Sequence, residues 1–360
     1  MDNPFQNIDN RYYNDLNKKI SELEEIIKKQ NEKIKNLEEK LEKYENEEKN
    51  EKKQNNNLYN NFDIKLKDHP IYELDFHTSW VYCLIVLKDG RLASGSNDNS
   101  IIIYNKKTFK PDLIIEEHSD YICWITQLST GVLASCSVDK TIKLFNITGN
   151  NYNILQTLKY HTGTVYKIIE LKNKQLVSCS YDKTIIFYSK ENNEYKKDYN
   201  ITTNGGCSSV IQTKIDEICY SEYKNNAICF FNISERNIKK TISNISKRND
   251  IIEKLFMITN ELLFIGGENK ISIVNVNNYK LVNVIDIPGS SYINAICMLN
   301  ENIFLTGDNK KIIRQWKIEG DNIKLISKKE KTLTNRIYSL VNLGDGHIAT
   351  GSDDNTIKIW

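Results

Sequence analysis

The sequence lacks the signatures of most catalytic and metal-binding classes. It has five histidines among 360 residues, and it contains no HExxH motif, no GxxxxGK[ST] phosphate loop and no CxxC pair. The glycine-rich stretch GDGHIATG at residues 344–351 lies at the second strand of a repeat, which favours a turn over a phosphate loop. We therefore expect a non-catalytic protein that binds no metal or cofactor.

A strong charge bias and a long apolar run are also missing. Lys and Arg number 49 against 47 Asp and Glu, so the net charge of +2 gives no basic footprint for nucleic acid. No uninterrupted apolar run of 18 residues occurs, and we expect no membrane span. The first residues, MDNPFQNIDNRYYN, are polar and do not resemble a secretory signal. These features predict a cytoplasmic protein, with the nucleus as an alternative location.

The eight cysteines fall mostly within apolar, strand-like segments. At the same place in their repeats, Cys136 and Cys179 take the position that Gly95 and Gly351 occupy elsewhere. We expect buried, reduced thiols that act as small apolar residues, with metal binding or disulfides as alternatives.

A pattern of about 43 residues recurs from His77 to the C-terminus. Three copies are nearly in phase: HTSWVYCLIVLKDGRLASGSNDNSIIIY (77–104), HSDYICWITQLSTGVLASCSVDKTIKLF (118–145) and HTGTVYKIIELKNKQLVSCSYDKTIIFY (161–188). In each copy a His precedes an Asp by 21 residues. A fixed offset inside a longer period indicates one supersecondary unit used repeatedly, and such units bury their apolar faces against one another.

Each copy consists of short strand-like segments separated by turns. In the first copy, the segments VYCLIVL, RLASGS and SIIIY are separated by KDG and NDN. Gly accepts positive φ easily, and β-branched and aromatic residues favour strands. A variable fourth segment follows, such as ILQTLKY at 154–160. Four strands in each copy of this length are typical of a propeller blade.

These motifs resemble the WD-repeat (WD40) family over about residues 66–360. In that family a His before the first strand, a Ser or Thr on the second, an Asp in the tight turn and a Trp on the third form a buried hydrogen-bond network. The resemblance assigns these structural roles to His77, Ser94 and Asp98; to His118, Ser135 and Asp139; to His161, Ser178 and Asp182; and, in the last copy, to Thr350, Asp354 and Trp360. The third-strand position holds Tyr or Phe in the first four copies, so the network is expected to be shorter where Phe cannot donate.

Copies four to six are degenerate but keep the strand pattern. Asn225, Asn269 and Lys310 stand at or near the Asp position, and no His precedes them at the same offset. The seventh copy stops at Trp360, its third strand, while the unassigned segment IYELDF (71–76) lies just before the first copy. We therefore predict an all-β, seven-bladed WD40-type β-propeller closed by an N-terminal strand and preceded by a long α-helix.

The segment before the propeller shows a heptad pattern. Apolar residues and one Gln alternate steps of four and three: Leu16, Ile20, Leu23, Ile27, Gln30, Ile34, Leu37, Leu41 and Tyr44. Ile at heptad position a with Leu at heptad position d favours a parallel two-stranded coiled coil, so we expect a homodimer through residues 16–44. A hetero-coiled coil and a single amphipathic helix are the alternatives. The predicted organisation is a disordered stretch at 1–15, a coiled-coil helix at 16–53, an Asn-rich linker at 54–65 and the propeller at 66–360.

The resemblance also implies a partner surface. In WD-repeat proteins this is the face that carries the loops before the first strand and the turns between the second and third strands. The aromatic and Arg side chains that the register places there are Trp80, Tyr82, Tyr121, Tyr166, Tyr181, Tyr292, Arg336 and Tyr338. Trp, Tyr and Arg dominate interface energetics, although these rings can also pack against neighbouring loops. We expect a scaffold or adaptor, with a regulatory or substrate-receptor subunit of a ubiquitin-ligase, autophagy, organelle-fission, cytoskeletal or vesicle-transport complex as the alternative.

Overall fold

The computed structural model describes residues 14, 17–36, 69–223, 226–243, 245, 254–287, 291–330 and 335–360. The chain forms two units, Met1–Asn60 and Asn61–Trp360. In the first unit, residue 14 and residues 17–36 are helical, and we name the continuous segment α1. Every described residue of this unit is exposed, including the seam residues Ile20, Leu23 and Ile27. The remainder of the predicted N-terminal stretch, the linker and the seam residues Leu16, Leu37, Leu41 and Tyr44 lie outside the described residues.

The second unit contains seven four-stranded antiparallel sheets, which we number as blades 1 to 7. Blade 1 consists of β2 (Val81–Val86), β3 (Leu92–Ser96), β4 (Ile101–Tyr104) and β5 (Pro111–Ile115). Blade 2 consists of β6 (Ile122–Gln127), β7 (Leu133–Ser137), β8 (Ile142–Thr148) and β9 (Asn151–Leu158). Blade 3 consists of β10 (Val165–Glu170), β11 (Leu176–Ser180), β12 (Thr184–Glu191) and β13 (Glu194–Thr202).

The degenerate repeats form complete blades as well. Blade 4 consists of β14 (Val210–Lys214), β15 (Glu217–Glu222), β16 (Ala227–Asn232) and β17 (Asn237–Ser243). Blade 5 consists of β18 (Lys254–Met257), β19 (Leu262–Gly267), β20 (Lys270–Asn275) and β21 (Lys280–Asp286). Blade 6 consists of β22 (Ile293–Met298), β23 (Ile303–Asp308), β24 (Ile313–Glu319) and β25 (Asn322–Lys329).

Blade 7 closes the ring with a strand from the other end of the sequence. Its own strands are β26 (Ile337–Asn342), β27 (Ile348–Ser352) and β28 (Ile357–Ile359), and β1 (Tyr72–Leu74) pairs with β28 as the fourth. The first strands of neighbouring blades contact one another around the ring, including β26 against β2. The predicted seven-bladed propeller and its closure are therefore confirmed, and the closing strand covers the edge that β28 would otherwise expose.

Apolar packing between blades forms the core. The second strand of each blade is buried along its whole length because neighbouring blades cover both of its faces, as in Leu92–Ser96 and Leu262–Gly267. The space is tight, since a Cβ on Gly95 would stand 2.7 Å from Cγ2 of Ile122 in the next blade. Close packing of this kind stabilises each blade only in the presence of its neighbours.

A β-bulge near the start of the first strand orients the residues at the mouth of the central channel. In blades 1, 2, 3, 6 and 7 the pairing register shifts by one residue at this point. The residue left out of the pairing is Tyr82, Cys123, Tyr166, Asn294 or Tyr338. Bulges re-aim side chains, and these five side chains all line one cavity.

Candidate functional site

In blade 1, the structure brings together the three residues of the expected polar network. His77 Nδ1 lies 2.8 Å from Asp98 Oδ2, and His77 Nε2 lies 2.6 Å from Ser94 Oγ. Ser94 Oγ is also 3.2 Å from the hydroxyl of Tyr104 on the third strand. Asp98 accepts a further hydrogen bond from the backbone N–H of Thr78 at 2.9 Å. The network therefore ties the loop before the first strand to the turn after the second.

Blade 2 has a shorter chain of hydrogen bonds. His118 lies 2.7 Å from both Asp139 and Ser135, but the third strand carries Phe145, which has no donor.

Blade 3 has the longer form of the network. His161 lies 2.8 Å from Asp182 and 2.7 Å from Ser178, and the Tyr188 hydroxyl lies 2.9 Å from Ser178.

The three turn carboxyls are held in their ionised form. Burial by itself raises the pKa of Asp98, Asp139 and Asp182, but hydrogen bonds from the paired histidines and from nearby hydroxyl or amide groups outweigh it. The pKa of each carboxyl therefore lies well below its usual range. These groups lie in successive blades and do not converge on one point.

Blade 7 contains the remaining predicted network residues. Trp360 Nε1 donates to Thr350 Oγ1 at 3.1 Å, which spans the second and third strands. Asp354 accepts from Lys358 Nζ at 2.7 Å and from Thr356 Oγ1 at 2.6 Å. Burial by itself raises the pKa of Asp354, but the hydrogen bonds from Lys358 and Thr356 outweigh it, and the pKa lies below its usual value.

Blade 6 contains a polar centre that sequence reasoning missed. Asp308, which is fully buried, accepts hydrogen bonds from Arg314 and Ser291 and from the backbone N–H groups of Lys310 and Ile312. The Asp stands two positions before Lys310, the residue in the family's Asp position. A search at the family offset therefore passes over it.

An aromatic cluster lies where blades 7 and 1 meet. The rings of Trp80 and Tyr338 are stacked with centroids 6.1 Å apart. Tyr82 meets both edge-on, with centroids 6.2 Å from Trp80 and 5.0 Å from Tyr338. The Trp80 side chain is still 40% exposed, so the cluster leaves an aromatic surface open to solvent.

Beside this cluster is a cavity of about 350 Å³ in the mouth of the channel. Four predicted partner-binding residues line it: Tyr82, Tyr121, Tyr166 and Tyr338. The other four lie outside its lining. Tyr181 is exposed and packs edge-on against Tyr223, Arg336 approaches Asp353 at 3.6 Å, and the Tyr292 backbone N–H donates to Asn309.

One layer below the bulged residues, the cavity contains two lysines and a tryptophan that sequence reasoning did not select. Trp124, Lys167 and Lys254 are the residues that pair with the small second-strand residues Cys136, Cys179 and Gly266. They therefore occupy the same register position in blades 2, 3 and 5. Lys167 Nζ lies 4.9 Å and Lys254 Nζ 5.6 Å from the ring centroid of Trp124. Each of them stands one residue after the position that Tyr82 occupies in blade 1, so a scan of that next position would have found all three. Glu253, which precedes Lys254, lies outside the described residues.

We also searched the described part of the chain for metal sites, disulfides and membrane-spanning helices. No group of three His, Cys, Asp or Glu side chains there is placed to hold a metal ion. All eight cysteines are free thiols, and burial raises the pKa of those such as Cys136 and Cys219 well above the usual value. No helix within residues 17–36 or the described propeller is long and apolar enough to cross a membrane.

Comparison with known proteins agrees with this architecture. The family model "WD domain, G-beta repeat" matches residues 68–105, 109–146, 152–189 and 327–360. A short segment is 50% identical over 36 residues to "Protein transport protein SEC13" of Yarrowia lipolytica. The matched segment covers 10% of this chain and 12% of that protein. WD40 propellers generally bind other proteins and are generally non-catalytic. The matched repeats and the seven closed blades identify this chain as a member of the WD40-repeat β-propeller family.

Proposed function

We propose that this protein is a non-catalytic scaffold that binds a partner protein through its rim. We define the rim as the propeller face that carries the loops before the first strands and the turns after the second strands. The observation that carries the proposal is the cluster of Trp80, Tyr82 and Tyr338, which presents a partly exposed Trp beside an open cavity. Large aromatic side chains next to a pocket are the usual anchors of protein interfaces.

A double substitution tests this role. We expect Trp80→Ala with Tyr338→Ala to abolish recovery of partner proteins with the purified full chain, measured by quantitative mass spectrometry. The matched control is Ile215→Ala, a residue 75% exposed in the turn between β14 and β15, at the opposite end of the sheets. Thermal unfolding should change little in either variant. Unchanged partner recovery with the double substitution, or loss of folding, would contradict the proposal.

We further propose that the N-terminal helix makes the scaffold a parallel homodimer through residues 16–44. The seam residues Ile20, Leu23, Ile27 and Ile34 form one stripe on α1 and are each about half exposed. Such a stripe gains stability by pairing with the same stripe of a second copy. A dimer raises the effective concentration of the second propeller for a partner that has two copies of the binding motif.

Light scattering on the full chain tests dimerisation. Ile20→Ser with Ile27→Ser should halve the mass, because both substitutions remove apolar contacts at heptad position a of the seam. Lys18→Ser with Lys28→Ser, which alters the same helix away from the seam, should leave the mass unchanged. A wild-type chain of monomer mass would overturn the homodimer.

A second candidate is a role in vesicle transport. The local identity with a protein transport protein favours it, but that match covers 36 residues, which is 10% of this chain. Removing this protein from cells should then delay transport of a secreted reporter. Normal transport kinetics would exclude this candidate and leave the scaffold proposal untouched.

A further inference from the structure

The two lysines in the channel mouth lie at a place where charge is expensive to hold. Lys167 is only 9% exposed, and burial together with the nearby Lys254 lowers its pKa to about 8. An ammonium group without a partner is more stable in water than in the protein interior, and most lysines of globular proteins therefore lie at the surface. A buried ammonium beside a second ammonium therefore needs a compensating interaction.

Contacts within the described propeller provide little compensation for Lys167. Its ammonium has three donors, and its one hydrogen bond to a described residue is to Ser209 Oγ at 3.5 Å. The ring of Trp124 at 4.9 Å supplies a cation–π contact. No Asp or Glu of the described residues lines the cavity. Trp124 Nε1 is buried and also lacks an acceptor among the described residues, so unused donors remain in this wall.

We infer that the channel mouth binds a carboxylate, which enters the cavity and accepts hydrogen bonds from Lys167 and Lys254. The tyrosines above the lysines, among them Tyr82, Tyr166 and Tyr338, form an apolar collar for the rest of the ligand. The cavity volume of about 350 Å³ lies at the lower end of the range of ligand pockets and suits a small group. An acidic side chain or a chain terminus fits this description.

The composition of the lining favours a carboxylate over a phosphoryl group. Phosphate sites usually employ Arg, whose planar fork donates two parallel hydrogen bonds, and no Arg of the described residues lines the cavity. That the carboxylate belongs to a peptide rests on the proposed scaffold function, whereas the anion site itself does not.

Small aromatic acids test the site in the full chain. Phenylacetate, followed by tryptophan fluorescence or calorimetry, should bind roughly tenfold or more tightly than its neutral isostere phenylacetamide. Phenyl phosphate should bind more weakly than phenylacetate. Equal affinities for the acid and the amide would overturn the inference, and a preference for phenyl phosphate would replace the carboxylate by a phosphoryl group.

Substitutions locate the binding to the two lysines. Lys167→Met and Lys254→Met should each weaken phenylacetate binding by roughly tenfold or more. Lys143→Met is the matched control, because Lys143 is a half-buried lysine on the third strand of blade 2. The affinity of this variant for phenylacetate should equal that of the wild type. Lys167→Met should melt at or above the wild-type temperature, since it removes a desolvated charge. Wild-type affinity in both lysine variants would contradict the assignment.

Two peptides then distinguish the source of the carboxylate. Acetyl-Ala-Tyr with a free C-terminus presents a terminal carboxylate, and acetyl-Glu-Tyr-amide presents a side chain; the tighter peptide identifies the source. Trp80 lies outside the cavity lining, so the single variant Trp80→Ala should weaken partner recovery and leave phenylacetate binding intact. Loss of partner recovery with retained phenylacetate binding, or the reverse, therefore separates the scaffold proposal from the carboxylate site, and failure of both peptides overturns the peptide assignment.

Discussion

Blades 1–3 and blades 4–6 have the same four strands but hold them by different polar contacts. In blades 1–3 a His, a Ser and an Asp tie the loop before the first strand to the turn after the second strand, in one repeated arrangement. In blade 6 a buried Asp308–Arg314 pair lies beside the corresponding turn. In blade 4, Glu217 accepts hydrogen bonds from Thr213 at 2.7 Å and from Tyr279 of blade 5 at 2.5 Å. The apolar layer is common to both halves, so it is sufficient to form a blade, and the polar contacts can vary.

Acidification should have the largest effect on this comparison, because it acts on three blades together. Asp98, Asp139 and Asp182 have depressed pKa values in the folded state. Such a carboxyl stabilises the fold above its unfolded pKa of about 3.9 and loses that contribution as the pH falls toward its folded pKa. We expect the free energy of unfolding to decrease steadily below about pH 5, measured by urea denaturation at stepped pH.

Hydrogen exchange shows where the acid acts. Blades 1–3 should lose backbone protection at higher pH than blades 4–6. Simultaneous loss in all blades would mean that the His–Asp pairs do not set the acid sensitivity of their own blades.

Breaking the buried pair of blade 6 should have the next largest effect. Asp308→Asn leaves the Arg314 guanidinium buried without its carboxylate, and we expect a loss of about 3–5 kcal/mol in unfolding free energy. The double variant Asp308→Asn with Arg314→Leu should recover part of the loss, since it removes the unpaired charge. Equal losses in the single and double variants would show that the pair itself is not the cause.

The turn position allows a matched test of the two halves. Asp139→Ala in blade 2 should lose about 1–3 kcal/mol, because His118 and Thr141 lose their acceptor. Lys310→Ala, at the same register position in blade 6, should change stability by less than about 0.5 kcal/mol because its side chain is exposed. Denaturation curves for both variants measure the difference, and similar losses would remove the distinction between the halves.

The smallest expected effect concerns the third strand within blades 1–3. Tyr188→Phe removes the hydroxyl that lies 2.9 Å from Ser178, and we expect a loss of about 0.5–1.5 kcal/mol. Phe145→Tyr in blade 2 adds the hydroxyl that this blade lacks, and we expect a change between zero and a gain of similar size. Thermal melts of the two variants check both, and a neutral Tyr188→Phe would show that the network ends at the Ser.

Much of the fold was predictable because its signals are local. Alternating apolar segments, turn residues and a spacing of 41 to 44 residues predicted seven blades, and the incomplete last copy predicted the strand that pairs with Ile357–Ile359. The turns of the degenerate blades were less predictable. In blade 1, five residues lie between the paired residues Gly95 and Ile101. The corresponding turn is one residue longer in blade 4, where six residues lie between Ser221 and Ile228. It is one residue shorter in blade 5, where four residues lie between Gly266 and Ile271. Offsets copied from blade 1 therefore drift in blades 4 and 5.

The candidate site was only partly predictable. Three of the tyrosines around the cavity, Tyr82, Tyr166 and Tyr338, followed from the repeat register, because each is the bulged residue of the first strand in its own blade. Trp124, Lys167 and Lys254 were not selected, since each is unremarkable within its repeat and their proximity depends on three different blades. The same reason hid Glu217 and Tyr279, which belong to different repeats.

The sequence by itself determined the blade unit, the number of blades and the strand that completes the last one, because these depend on periodicity and turn chemistry within about 43 residues. Only the tertiary structure decided which side chains meet in the channel. Residues more than 40 positions apart, such as Trp124, Lys167 and Lys254, become neighbours when the ring closes and the first strands line a common axis. No local pattern encodes that meeting, so the lysine pair and its ligand chemistry follow from the closed ring.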